Sequence, residues 1–286
     1  MPSIKYLIYT KRGFDKTSGG NILLHKLCHD LRMIGQDAYI SHGPSGPNFN
    51  APQYCPSASE LKNEFVVVYP ETRMGNPLHC PRVVRWILNT PGAFGPTDFY
   101  KREKKSDLIF KLSTFYDYTG KGYYKGILYT IFVDFEAFKN LNLKRSGSCY
   151  LVRKGKIINK VHDENSVLIA DAGDWKVTPY LFNTKEVFYC YDTATYLSLL
   201  AALCGCICLV VPDEKKPSNE WHACWPHNKF GIAYGNDELD HARKTLDLVA
   251  GHLRNMEQKG LESVNCFAEI VNHHFVSVRD NMLRRL

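Results

Sequence analysis

Short apolar runs alternate with polar turns and helical repeats in the N-terminal half of the chain. Ile4 to Thr10 is apolar and β-rich, and apolar residues recur at helical spacing from Ile22 to Ile34. A second β-rich run follows from Asp37 to Ser41. The pattern predicts a β-α-β unit whose first turn carries glycines. Because the turn lacks the G-x-G-x-x-G series, a dehydrogenase-type dinucleotide fold is poorly supported.

Two further apolar runs are followed at once by polar or turn residues. Glu64 to Tyr69 precedes Glu71, and Val83 to Leu88 precedes Asn89. In a parallel α/β sheet such residues lie at the carboxyl edge, where ligands bind. A last strand of this first sheet is predicted from Leu128 to Val133.

The C-terminal half repeats the alternation of strand and helix signals. Its predicted strands are Ser148 to Val152, Ser166 to Ala170, Val187 to Cys190, Ile207 to Val211 and Gly231 to Tyr234. An amphipathic helix is predicted from Asp237 to His252, and one or two helices over residues 261–286. The order fits a second Rossmann-like domain.

Tyr189 to Pro212 carries the strongest pattern in the chain. A polar turn leads into a helix predicted from Thr195 to Cys204, which is apolar nearly all round, and Gly205 supplies its C-terminal cap. Asp192, Thr193 and Thr195 sit where a helix leaves N–H groups unpaired, so this end is predicted to hold phosphate.

Length and composition are those of a globular protein with two domains. The 286 residues include 44% hydrophobic positions, and two domains of about 100–150 residues each are the usual size. No run of 18 apolar residues and no signal peptide is found, so a cytoplasmic location is expected. The ten cysteines contain no C-x2-C pair, so we expect buried, reduced thiols and no metal site.

The net charge of +7 is spread unevenly. Residues 137–161 hold seven basic and no acidic side chains, a composition that suits phosphate-bearing ligands. Arg153 and Lys154 directly follow a predicted strand, and there they either grip a diphosphate or form a plain basic turn. Residues 107–138 are rich in aromatics, which either stack on sugars or bases or fill the core.

Two sets of motifs resemble glycosyltransferases. Tyr191-Asp-Thr-Ala-Thr195, the Ala-rich helix, Cys204-Gly-Cys-Ile207 and Val210-Val-Pro212 resemble the donor-binding segment of two-domain GT-B enzymes. Residues 67–78 and 83–92 resemble the N-terminal half of polysaccharide-assembling glycosyltransferases. The chain is also similar to the capsid-glycan glycosyltransferases of large algal viruses, including xylosyltransferases.

The resemblance implies an α/β fold of two Rossmann-like domains that face each other across a cleft. Residues 1–140 would form the acceptor-side domain and 141–265 the donor domain, while a terminal helix, 266–286, returns toward the first domain. Retaining members have a second carboxylate eight positions after the first. Here the first position is Asp192, and Leu200 stands at the second. The ribose must then be held elsewhere, and inversion is favoured.

The implied reaction moves a sugar from a nucleoside-diphosphate sugar to a glycan, with no cofactor or metal. UDP-sugars, such as UDP-xylose, are the expected donors, and a viral origin would place the enzyme in the host cytoplasm. The donor-binding residues are predicted to be Arg153, Lys154, Tyr191, Asp192, Thr193, Ala194 and Thr195. Acceptor contacts are predicted at Ser18, Gly19, Gly20, His42 and Asn89.

An inverting reaction needs a general base. Glu71 at the end of an inner strand is the first candidate, Asp15 in the first loop is the second, and His42 is the third. Glu71 has a structural alternative as a turn or capping carboxylate.

Two other classes of function remain open at this point. A non-catalytic sugar- or nucleotide-binding module needs the phosphate site predicted around Thr193 but no general base. A nucleic-acid-binding protein is suggested by the basic and aromatic residues 101–160, although no known module is present.

Overall fold

The protein was analysed as a computed structural model, which describes residues 4–152, 159–171, 173–212 and 216–283. The chain divides into two compact units. Unit 1 combines Met1–Phe132 with Glu257–Leu286, and unit 2 is Val133–Met256. The acceptor and donor roles predicted for the two halves of the chain stay predictions.

Unit 1 is built on a six-stranded sheet in which every neighbouring pair of strands is parallel. Its strands are β1 (Lys5–Ile8), β2 (Ala38–Ile40), β3 (Phe65–Pro70), β4 (Val83–Ile87), β5 (Leu108–Lys111) and β6 (Tyr123–Ile127). They lie in the order β2-β1-β3-β4-β5-β6. The two central strands β3 and β4 are buried at every residue, as expected for a sheet covered on both faces.

Helices α1 (Gly19–Met33) and α2 (Ala58–Asn63) connect the first three strands. Both begin at a serine whose hydroxyl accepts a backbone N–H. Ser18 accepts from Asn21 at 3.3 Å, and Ser57 forms a reciprocal capping box with Glu60. Leu61 of α2 packs into a buried cluster with side chains of β1 and β3. Local sequence therefore sets where these helices start, and burial of apolar surface holds them on the sheet.

Unit 2 has a five-stranded sheet that is also parallel throughout. Its strands are β7 (Ser148–Leu151), β8 (Val167–Leu168), β9 (Val187–Cys190), β10 (Ile207–Val210) and β11 (Ile232–Tyr234), in the order β11-β10-β9-β7-β8. Its helices are α3 (Val177–Thr184), α4 (Leu197–Leu203), α5 (Ser218–Cys224) and α6 (Leu239–Lys244). The predicted fold class, α/β with two Rossmann-like domains, is confirmed by these two parallel sheets.

The last helix, α7 (Val249–Leu283), begins in unit 2 and ends in unit 1. In unit 1, Phe267 of α7 packs against Tyr6 and Phe110, with ring centroids 6.1 and 4.9 Å apart. The hydroxyl of Tyr6 also donates to the carbonyl of Ala268 at 3.3 Å. None of the helices in the described chain is both long and apolar enough to cross a membrane.

Two of the predicted elements are wrong. The first sheet ends with β6, whereas the predicted strand from Leu128 to Val133 is a buried irregular segment. One of its backbone groups, the N–H of Tyr129, donates to Oγ of Ser263 in α7 at 3.0 Å. The predicted helix from Asp237 to His252 is broken after Lys244. There the Thr245 hydroxyl donates to the carbonyl of His241 and accepts the N–H of Gly231.

The ten cysteines are all free thiols, and eight of them are buried. Cys206 and Cys208 lie in the core of unit 2, where burial raises the pKa of each thiol well above its usual value. The prediction of buried, reduced thiols is therefore confirmed except at Cys55 and Cys266, which are exposed.

The aromatic region between residues 107 and 138 does not have a single role. Phe110 and Phe138 are buried, whereas Tyr123 and Tyr124 on the edge strand β6 are 56% and 45% exposed. Core packing therefore accounts for only part of this region.

A buried ion pair crosses from β4 to the start of β5. Nε and Nη2 of Arg85 each lie 3.0 Å from Oδ2 of Asp107, and both residues are at most 2% exposed. The guanidinium also stacks on Tyr69 and Phe99, and its Nη1 donates to the carbonyl of Arg73 at 3.1 Å. The pair therefore ties the turn after β3 to the sheet.

Replacing Asp107 with alanine should strongly destabilise unit 1, because it leaves the Arg85 charge buried and uncompensated. We expect a loss of about 3–5 kcal/mol in the free energy of unfolding, measured by denaturant unfolding. The control is Lys5→Ala, which breaks a partly exposed pair with Glu64 and should cost far less, as is usual for solvent-exposed ion pairs. Equal effects of the two substitutions would contradict the role assigned to Asp107.

Candidate functional site

The strand order of each sheet contains one reversal of direction. In unit 1, β2 and β3 lie on opposite sides of β1, and in unit 2, β8 and β9 lie on opposite sides of β7. Connections that leave a strand in opposite directions open a crevice at the carboxyl ends of the strands. The two places to look for ligand-binding side chains are therefore the ends of β1 and β3, and the ends of β7 and β9. We call these the unit 1 and unit 2 switch points.

Asp192 lies at the unit 2 switch point, two residues after β9. It is 5% exposed, and its Oδ1 accepts the N–H of Ala194 at 3.1 Å. Its Oδ2 is buried and has no hydrogen-bond partner in the described chain. A buried carboxylate oxygen without a donor is costly, so this atom is the clearest sign of a binding site in unit 2.

The loop after Asp192 differs from the sequence prediction. Helix α4 begins at Leu197 rather than at Thr195. Thr195 Oγ1 accepts the N–H of Leu197 at 3.4 Å, and Ser198 Oγ donates to the carbonyl of Thr195 at 2.9 Å. These side-chain bonds compete with helix formation at residues 192–196. Ala194 N–H is paired with Asp192, and the phosphate site predicted at these amides stays a prediction.

Trp221 of α5 is hydrogen-bonded to the loop that follows Asp192. Its indole Nε1 donates to the carbonyl of Thr193 at 2.8 Å, and its ring stacks on Tyr234 with centroids 4.7 Å apart. At 1% exposure it is part of the core of unit 2. This contact was not predicted from the sequence, although a tryptophan shortly after the donor-like segment was the available signal.

The hydroxyl of Tyr191 forms hydrogen bonds within unit 2. Its hydroxyl accepts the N–H of Val161 at 3.0 Å and lies 2.6 Å from Nδ1 of His162. The His162 ring stacks on Tyr150 at 3.8 Å, and burial, helped by the nearby charge of Lys160, lowers the pKa of His162 below its usual value. Tyr191 thus anchors the chain on the β7 side of the switch point.

Two other donor-site predictions have different outcomes. Arg153 and Lys154 lie outside the described residues, so their roles stay predictions. Leu200, at the position of the second carboxylate in retaining enzymes, is 1% exposed and fills the core beside the sheet.

Glu71 reaches the unit 1 switch point, directly after β3. It is 5% exposed, and its Oε2 accepts the N–H of Leu88 at 2.9 Å. The carboxylate therefore ties the end of β3 to the end of β4, which is the structural alternative considered for it. Asn89 follows Leu88, and its Oδ1 accepts the N–H of Thr90 at 2.8 Å.

The other acidic candidate, Asp15, organises its own loop. It forms an ion pair with Arg12, and its Oδ1 accepts from the N–H and the hydroxyl of Thr17 at 2.9 and 2.6 Å. A catalytic role for either carboxylate stays a prediction.

The predicted acceptor residues around the first turn have distinct surroundings. Ser18 caps α1, as described above. A Cβ atom added to Gly19 would meet nothing within 4 Å, and one added to Gly20 would meet only Leu88 Cδ1 at 3.7 Å. The fold itself therefore does not require glycine at these two positions, and the side of each that a Cβ would occupy is open.

His42 is exposed beside Tyr9, with ring centroids 5.7 Å apart. Its Nδ1 lies 2.8 Å from the hydroxyl of Ser41. The glycine that the fold does require nearby is Gly43, which has a φ of +80° and whose Cβ would lie 2.1 Å from the Cα of Gly13. Sequence reasoning missed this close approach of two loops.

A surface cavity of about 560 Å³ in unit 2 is lined by His222, Pro226, Lys229, Glu238 and His241. Glu238 already accepts from the Ser218 hydroxyl, from Tyr234 N–H and from His222. Its carboxylate thus holds the loop after β11 and is not left for a ligand. No group of three or more metal-ligating side chains is present among the described residues.

Comparison with known proteins gives only distant similarities. No family model matches the chain, and no curated protein matches it. Sucrose-phosphate synthase from Thermosynechococcus elongatus aligns with 99% of this chain and 100% of its own, at 9% identity and a TM-score of 0.46. WaaG, a glycosyltransferase involved in lipopolysaccharide biosynthesis, aligns with 96% of this chain and 98% of its own, at 12% identity and 0.44.

Spinosyn forosaminyltransferase SpnP aligns with 98% of this chain and 99% of its own, at 9% identity and a TM-score of 0.39. Similarities this weak carry no argument about activity. The assignment of two Rossmann-like units rests on the strand topology of this chain.

The Trp221 contact can be tested without a ligand. Trp221→Phe keeps an aromatic ring against Tyr234 but removes the donor to the Thr193 carbonyl. A lost hydrogen bond of about 1 kcal/mol should speed amide hydrogen exchange in residues 193–197 by about fivefold. Exchange in β1 and β3 of unit 1 is the internal reference, and unchanged exchange in residues 193–197 would show that Trp221 does not hold the loop.

Proposed function

We propose that this protein is a GT-B glycosyltransferase that moves a sugar from a nucleoside-diphosphate sugar to a glycan acceptor. The donor would bind at the unit 2 switch point and the acceptor at the unit 1 switch point. UDP-sugars, UDP-xylose among them, are the first donors to test. Inversion and independence of metal are part of the proposal.

The observation that carries the proposal is the unpartnered Oδ2 of Asp192 at the unit 2 switch point. A carboxylate oxygen accepts hydrogen bonds and repels phosphate, so its natural partner is a hydroxyl of the ribose or of the transferred sugar. With Leu200 in place of a second carboxylate, Asp192 is the acidic side chain that the donor segment offers. The motif resemblance places the donor at the same residues.

Charge on the departing nucleoside diphosphate needs cations or N–H donors. Arg153 and Lys154 directly follow the first strand of unit 2, so they are the cations proposed for this role. The hydroxyls of Thr193 and Thr195 are the proposed additional donors. No cofactor is included in this scheme.

Glu71 is proposed as the general base. Its Oε2 accepts the N–H of Leu88 at 2.9 Å. A hydrogen bond from a backbone N–H also fixes the orientation of the carboxylate, which is useful for a base that must meet an acceptor hydroxyl at about 2.6–3.2 Å.

A non-catalytic sugar- or nucleotide-binding module is the second candidate. It is favoured by the engagement of both acidic candidates, Glu71 and Asp15, in bonds that serve the fold. Such a protein would bind a nucleotide sugar at Asp192 but would release no nucleoside diphosphate.

Asp192→Asn tests the donor site. Asparagine can still accept the Ala194 N–H, but its second group donates and cannot accept a donor hydroxyl. We expect kcat/KM for the donor to fall by about 10- to 100-fold, as for a lost hydrogen bond to a charged group, with an unchanged melting temperature. Release of nucleoside diphosphate is the assay, and exposed Asp247→Asn is the control. Parent kcat/KM in the Asp192 variant would contradict the assignment.

Glu71→Gln tests the base. Glutamine can keep the bond to Leu88 N–H, so the fold should be retained while proton abstraction is lost. Turnover should fall by about 10²–10⁴-fold with donor binding preserved. Exposed Glu262→Gln serves as the control. Transfer at the parent rate would rule out Glu71, and a protein that binds donors but never releases nucleoside diphosphate would favour the binding module.

A further inference from the structure

Arg73 occupies the unit 1 switch point with a fixed backbone. Its N–H donates to the carbonyl of Pro70 at 3.0 Å, which closes the turn after β3. Its carbonyl accepts from Nη1 of Arg85 at 3.1 Å, and Arg85 is itself held by Asp107. The position of Arg73 is therefore set by the core of unit 1.

The side chain of Arg73 lies over the end of β1. Its Cζ is 5.2 Å from the centroid of Tyr9, the residue that follows β1. Tyr9 is 9% exposed and packs in the cluster between β1, β3 and α2. A guanidinium stacked on a rigid buried ring loses little further freedom when it binds a ligand. Arg73 thus spans the two strands, β1 and β3, that flank the switch point.

The guanidinium of Arg73 carries a buried N–H that has no acceptor in the described part of the protein. Its Nε is buried without a hydrogen-bond partner, and no carboxylate there lies within ion-pair distance of it. Glu71, two residues earlier, directs one oxygen to Leu88 N–H. Arg85, by contrast, is fully engaged with Asp107 and with the Arg73 carbonyl.

An unpaired arginine fork fits a planar or tetrahedral anion. Arginine binds carboxylate and phosphate through two parallel N–H donors, a geometry that neutral hydroxyls do not match. The exposed ring of His42 lies edge-on to the same Tyr9 and offers a second polar group. The two side chains flank one aromatic ring at the carboxyl edge of the sheet.

We infer that Arg73 binds an anionic group, a carboxylate or a phosphate, carried by the acceptor. This inference rests on the proposed function, which assigns the donor to unit 2 and the acceptor to unit 1. The acceptor glycan would then be acidic, and Arg73 would determine specificity without taking part in bond making.

The test is an NMR titration of the full chain with matched probes. Methyl β-D-glucuronide and methyl β-D-glucoside differ only in a carboxylate for a hydroxymethyl group, and methyl β-D-glucoside 6-phosphate supplies the phosphate. We expect an anionic probe to bind at least about tenfold more tightly than the neutral glucoside. The tighter of the two anionic probes identifies the source of the charge.

Variants separate the guanidinium from general charge effects. Arg73→Gln should abolish the preference for the anionic probe, and Arg73→Lys should retain part of it. Arg243→Gln removes an exposed charge from unit 2 and should change nothing. Equal affinities for charged and neutral probes, or a preference that survives in Arg73→Gln, would overturn the inference.

The outcomes also separate this inference from the proposed function. If nucleoside diphosphate is released from a nucleotide sugar but the probes show no charge preference, the anion site alone is wrong. If an Arg73-dependent preference is found and no donor is turned over, the anion site stands and the transferase proposal fails.

Discussion

Parallel strand pairing with one reversal of order is the constraint on which the rest of this molecule depends. Parallel neighbours need crossover connections, and a strand whose neighbours are reached in opposite directions has no connection over its carboxyl end. In unit 1 that strand is β1, and in unit 2 it is β7. Each sheet therefore has one open place, and the residues that follow the adjacent strand supply its chemistry.

The two switch points carry side chains of opposite charge, and each side chain has a buried polar atom without a partner in the described chain. Among the described residues, Asp192 in unit 2 has a buried oxygen with no donor, and Arg73 in unit 1 has a buried Nε with no acceptor. Buried polar atoms without a partner also occur in His25, Glu103 and Asn228. These residues lie in helices or turns and not at the strand ends of a switch point. Buried groups left unsatisfied cost stability, and the proposed ligand contacts would compensate that cost at these two positions.

Sequence reasoning succeeded where the signal is local. Apolar runs predicted most of the strands, and Glu71 and Asn89 follow β3 and β4 as the sequence predicted. It failed where contacts join distant residues. Trp221 and Thr193 are 28 positions apart, and the Arg85–Asp107 pair is hidden in an apolar run. The start of α4 was missed because side-chain bonds of residues 192–198 replace a helical turn.

The most direct test is hydrogen exchange of the whole protein with and without the nucleotide sugar that raises its melting temperature most. The account predicts slower exchange in residues 191–197 of unit 2, where Asp192 and the loop held by Trp221 would meet the donor. Protection confined to the cavity beside β11, or to unit 1, would contradict it. So would the failure of every nucleotide sugar to stabilise the protein.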